Sequence, residues 1–313
     1  MIFLSFLMML SGLAALSLEM VWLRRLSLQI GSAGLSATIT LAIYMGGLGL
    51  GAIWGSKHRW RHSSRGYGLL EIFVAGWALS FPWLLHFMSP MFIADEVFTA
   101  FFLCCPLLLP PAVAHGASLP ALVCVIKDAK NTAWLYAINT SGAVIGVLCS
   151  SFFLMPWIGV RGSELFAASC CAFAGGCALW LPPPEANIEK EAPQSNIPLF
   201  ALLCACTAGG ASMALEIVWS RLGALLIGGS VYAFAIVLAV FLTGIALGAA
   251  QGRRMSTETI PTALAGVGIL AVVGCFAWRW LPHGLALSWD WFGDGSLLPT
   301  GALLLALAMA GAP

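Results

Sequence analysis

The chain has 313 residues, 60% of them hydrophobic and 9% charged, with a formal net charge of +1. A soluble domain carries about 25% charged residues, so this chain cannot clothe itself in a water-facing surface. Its mean hydropathy of +0.95 describes a polytopic membrane protein, for which no nucleic-acid partner is expected.

No water is present in hydrocarbon to satisfy a bare backbone, so each span must be a helix or part of a closed barrel. The apolar runs here last about 20 residues rather than ten alternating ones, which decides for an all-α protein. In chain order they predict spans near 2–28, 33–56, 67–88, 97–126, 132–157 and 162–182, then 197–227, 230–252, 262–283 and 296–313. Ile2–Leu16 is apolar and followed by small residues, but it lacks a basic leader and reads as a retained first span.

The loops orient these ten spans. Lys57, Arg59, Arg61 and Arg65 follow the second, Lys127 and Lys130 the fourth, Lys190 the sixth, and Arg253 and Arg254 the eighth. Asp95, Glu96, Arg161, Glu164, Asp290 and Asp294 fall on the opposite side. Lys/Arg excess marks the cytoplasmic face, which places the N-terminus inside.

The chain also repeats itself. A shift of 197 positions carries Glu19 onto Glu216, Trp22 onto Trp219, Arg24 onto Arg221, and Gly31, Gly47, Gly51 and Gly55 onto Gly228, Gly244, Gly248 and Gly252. Roughly two in five positions agree between 12–55 and 209–252, the mark of a duplicated unit. Six spans precede the second copy, so both copies point the same way, as parallel repeats about an axis normal to the membrane. The expected division is a six-helix repeat at 1–182, a Pro-rich and charged cytoplasmic linker at 183–196, and a second repeat at 197–313 that is incomplete, as in a truncated chain.

Candidate chemistry follows from the repeat. A carboxylate within hydrocarbon costs roughly 3 kcal/mol on insertion scales, so Glu19 and Glu216 are functional candidates by default. One reading makes them a pseudo-symmetric pair binding a cationic amine, with Trp22, Arg24, Trp219, Arg221 and Asn139 around it. The plainer reading pairs each Glu with Arg24 or Arg221 and leaves Trp22 and Trp219 as interfacial anchors.

Gly47, Gly51 and Gly55, and their equivalents Gly244, Gly248 and Gly252, recur at spacing four and form helix-packing faces, as do Gly142 and Gly146. Tyr136, Thr140, Ser141 and the stretch His115–Pro120 are expected near the inner face, bonding helix to helix. Glu71 and His86 stand alone in the third span without an assigned role. The ten cysteines lack a Cys-x-x-Cys pair with a nearby His, so they read as packing residues and no metal centre is expected. No Walker loop, no Gly-x-Gly-x-x-Gly after a strand and no catalytic constellation is legible, so neither catalytic residues nor a cofactor are expected.

The ordered combination Ser11-Gly12…Leu18-Glu19-x-x-Trp22-x-Arg24…Gly31, Gly47-x-Gly49-x-Gly51, Gly116-Ala-Ser-Leu-Pro120 and Tyr136-Ala-Ile-Asn139-Thr140-x-Gly142-x-x-Gly146 resembles a known family. It is similar to the membrane portion of bacterial fused spermidine synthase-like proteins, the major-facilitator/spermidine-synthase fusions. The resemblance implies a major-facilitator-like fold and a partner aminopropyltransferase domain in the cytosol. It also implies a non-catalytic membrane module that binds or delivers polyamine-like compounds. A small-solute transporter and a non-transporting scaffold are the rival readings.

Overall fold

The computed structural model describes residues 2–58, 60, 63–92, 97–123, 129–181, 199–227, 231–252, 260–277 and 280. Among these there is no strand. The helices are α1 (Ile2–Ile30), α2 (Ala33–Lys57), α3 (Ser63–Met88), α4 (Val97–Val123), α5 (Ala129–Cys149), α6 (Met155–Trp180), α7 (Leu199–Ile227), α8 (Val231–Gly252) and α9 (Ile260–Ala277). A short 3₁₀ turn, Ser89–Met91, closes α3, and a π-helical turn, Ser150–Leu154, joins α5 to α6.

Six described segments are long and apolar enough to cross a membrane: Ile2–Ile30, Ala33–Lys57, Ser64–Met91, Val97–Val123, Asn131–Trp180 and Val231–Gln251. The expected span at 296–313, the linker at 183–196 and the charged loops at 93–96 and 253–259 lie outside the described residues, as do 278, 279 and 281–283 at the end of the expected span at 262–283.

The turns follow local chemistry. α1 stops at Gly31, whose φ of +77° only glycine adopts freely, and whose N–H bonds to the Ser27 carbonyl. Ser32 then caps α2 by accepting from the Leu35 N–H at 3.3 Å. Within the segment Asn131–Trp180 the helix breaks at Gly159, φ +73°, beside the expected loop at Arg161.

α4 carries Pro106, Pro110, Pro111 and Pro120 inside a continuous helix. A proline withholds the N–H that would reach four residues back. The carbonyl freed by Pro111 belongs to Leu107, and the Trp77 indole N–H on α3 donates to it at 2.9 Å. A neighbouring helix thus repairs the ladder.

Glycine seams set the helix pairs. A Cβ on Gly51 would strike the Val113 carbonyl of α4, and Gly47 and Gly55 lie against Ala112 and Ala117. On the α1–α5 pair, Gly142 and Gly146 sit on the Met9 and Leu13 carbonyls, and Gly12 on that of Asn139. Such contacts let backbones approach where water supplies no drive for association. Gly248 meets nothing within 4 Å among the described residues.

One apolar core is built from α1, α2, α3, α4 and α6 around Trp22, Phe81 and Leu107. A second joins α1, α2 and α5 to α8 through Leu16, Met20, Leu41, Val147, Phe234 and Leu238. Shifted by 197, the bounds of α1 become 199–227, the bounds of α7, and the start of α3 becomes 260, the start of α9. Trp22 and Tyr44 meet edge-on at 6.4 Å and 62°, and their equivalents Trp219 and Phe241 meet at 5.6 Å and 72°.

Candidate functional site

Two polar assemblies lie inside the protein, and only one was expected. The first is where α1 meets α7 and α8. Glu19 is fully buried, and among the described residues neither of its carboxylate oxygens has a hydrogen-bond partner. Glu216 is 6% exposed, with Oε1 likewise unpartnered.

The plainer pairing does not occur. Arg24 is exposed and forms no ion pair among the described residues, while Arg221, also exposed, reaches Thr38 Oγ1 at 3.5 Å and lies over Gly34. Arg221 stands at a half-open cleft with a cavity volume of about 50 Å³, lined by Leu23, Ala33, Gly34, Thr38, Ser220 and Phe234 among others. Leu23 and Ser220 follow Glu19 and Glu216 by four residues, so the carboxylates sit one helical turn beneath the cleft rather than in its wall. Most of the lining is apolar.

Trp22 and Trp219 are buried and are not interfacial anchors. Trp22 stacks on Phe81 at 4.8 Å and donates to Glu164 Oε1 at 3.2 Å, while Arg25 holds Glu164 Oε2 at 2.7 Å. Glu164, read from the sequence as a loop residue, is only 2% exposed, because this ion pair and indole bond satisfy both of its oxygens. Asn139 is not in the cleft: its amide donates to the Met8 carbonyl at 3.0 Å and clamps α5 to α1. Thr140 and Ser141 bond back to Tyr136 and Ala137 of their own helix rather than across to another.

The second assembly is a chain of side chains from five helices. The Ser11 hydroxyl donates to Glu71 Oε1 at 2.5 Å. Glu71, His115 and Cys171 each present one atom within 4.8 Å of the others, and all three residues are buried. His115 Nε2 lies 3.8 Å from Cys171 Sγ and its Nδ1 2.9 Å from the Tyr44 hydroxyl, which is itself 3.0 Å from the Ala15 carbonyl. Glu71 is therefore not isolated, and Cys171 does more than pack. Sequence spacing hides the group, since its members are 44 and 56 residues apart on α3, α4 and α6. The available clue was three lone polar residues in three apolar spans of one bundle.

Compared with protein-family models and with curated proteins, the chain matches none. The reading of its function rests on these two assemblies.

Proposed function

We propose that the chain is the integral-membrane module of a spermidine synthase-like protein, in which Glu19 and Glu216 hold a cationic, polyamine-like compound between two parallel repeats. The carrying observation is the pair of buried carboxylates without a countercharge. Buried carboxylates without a countercharge are costly in an apolar interior, and a diamine or polyamine brings two or more positive charges and several N–H donors to that place. Arg221, at the cleft above, is free of either glutamate.

The finer architecture belongs to the same proposal. About ten spans form two repeats of a six-helix unit, 1–182 and 197–313, major-facilitator-like, with the N-terminus cytoplasmic in a bacterial inner membrane. The shared bounds of α1 and α7 and the matched Trp22–Tyr44 and Trp219–Phe241 contacts support it. A cytosolic aminopropyltransferase-like domain is the partner that this module would supply.

The test is binding of radiolabelled spermidine and putrescine to the purified protein in nanodiscs. Saturable binding that disappears in Glu19→Gln/Glu216→Gln, with thermal melting retained, is the expected result. Unchanged binding in that variant, or none in wild type, would overturn the amine site. The cleft between α1, α2, α7 and α8 favours transport as a second reading. Uptake of the same amines into proteoliposomes separates a carrier from a module that only presents its ligand.

A further inference from the structure

We propose that Glu71, His115 and Cys171 form a binding site for one borderline-soft divalent metal ion, with zinc the best match. The site is distinct from the amine site and does not depend on it.

The geometry suits the ion. Zinc–ligand bonds of about 2.0–2.3 Å in a tetrahedron place ligand atoms roughly 3.3–3.8 Å apart. His115 Nε2 and Cys171 Sγ are already at 3.8 Å, and the whole set lies within 4.8 Å, so side-chain adjustment of about an ångström closes it. Glu71 Oε1 is engaged by Ser11, but among the described residues Oε2, though buried, has no hydrogen-bond partner. It is the carboxylate oxygen free to bind. The three protein ligands leave a fourth position for water or an exchangeable ligand.

The tautomer suits it as well. The Ala15 carbonyl can only accept, so the single proton of the Tyr44 hydroxyl is directed to it. Tyr44 then accepts from His115, whose Nδ1 must carry the ring proton. That leaves the lone pair on Nε2, the nitrogen facing Cys171. Tyr44 and Ala15 thus orient the ring as the outer partners of a metal-bound histidine do.

Charge balances too. One thiolate, one carboxylate and a neutral imidazole offset a divalent cation, giving a net neutral centre in a low-dielectric interior. On binding, the Cys171 S–H bond breaks, its proton leaves to water and a metal–sulfur bond forms. No electrons are transferred.

The polar members of this cluster do not recur at the offset of 197 residues. Ser11, Tyr44 and Glu71 fall on Ala208, Phe241 and Gly268, whereas Glu19, Trp22 and Arg24 fall on identical residues. α7, α8 and α9 form without the polar members.

The experiment uses full-length, tag-free protein in nanodiscs, stripped of metal and titrated with Co²⁺. Expected is one Co²⁺ per chain, with the visible d–d bands of a tetrahedral site and a near-ultraviolet thiolate-to-metal band, both displaced by Zn²⁺. Cys171→Ser abolishes the thiolate band. Cys104→Ser, a buried cysteine on the helix of His115, retains it. Tyr44→Phe keeps the band and weakens affinity about 10–100-fold. Zinc-edge X-ray absorption on wild type needs no variant, and should show one sulfur at about 2.3 Å with nitrogen or oxygen at about 2.0–2.2 Å. A folded wild type that takes up no Co²⁺, a thiolate band that survives Cys171→Ser, or a zinc shell without sulfur would overturn the site.

Discussion

Arg25 on α1 closes on Glu164 of α6 at 2.7 Å, and its neighbour Arg24, one residue earlier, turns outward and pairs with nothing among the described residues. The two arginines make a controlled comparison. Arg25→Ala leaves a buried carboxylate with only the Trp22 indole and should cost about 3 kcal/mol, the penalty of an uncompensated charge. Arg24→Ala should stay within about 0.5 kcal/mol. Unfolding of the detergent-solubilised protein measures both, and equal effects would mean the pair carries no stability.

The glycine seam of α2 gives a second comparison on one helix. Gly51 lies on the Val113 carbonyl, while Gly49 has nothing within 4 Å. Gly51→Ala should destabilise by about 1–3 kcal/mol, because the obstacle is backbone and cannot step aside. Gly49→Ala should be neutral or slightly stabilising, since alanine is the better helix former. A melting curve for each variant decides it.

Trp77 and Pro111 form a testable couple. Trp77→Phe strands the Leu107 carbonyl that Pro111 cannot satisfy, at a cost of about 1–3 kcal/mol. Adding Pro111→Ala returns an N–H four residues along and should recover part of that loss. A double-mutant cycle with additive single effects would show that the indole bond is not a repair of the proline gap.

Orientation can be read directly. Fluorescent-protein fusions ending after Lys57 should glow, because that fold requires the cytoplasm. Alkaline-phosphatase fusions ending at Gly159 should be active, because that enzyme requires the periplasm. The opposite pattern would invert the proposed topology.

Much of this was legible in the sequence, for a physical reason. Glu19, Trp22 and Arg24 are visible because they recur at fixed offset, and Gly47, Gly51 and Gly55 because a helix returns to one face every four residues or so. Turns near Gly31 and Gly159 follow from apolar run length. Partners across helices are not encoded in local spacing. Glu164 reads as a loop charge until Arg25 is seen beside it, and α3 starts at Ser63 rather than 67, taking Arg65 into its first turns. The Glu71–His115–Cys171 group exists only once three helices have packed.

α5 lies between α1 and α8. Its glycines Gly142 and Gly146 lock it to α1, while Ala143 and Val147 meet Leu238 and Ala239 of α8 across the expected boundary between repeats. One helix therefore couples the cooperativity of the two halves. Heat or denaturant should melt α1–α6 and α7–α8 in a single transition, and weakening the Gly146 contact should lower that shared midpoint rather than split it.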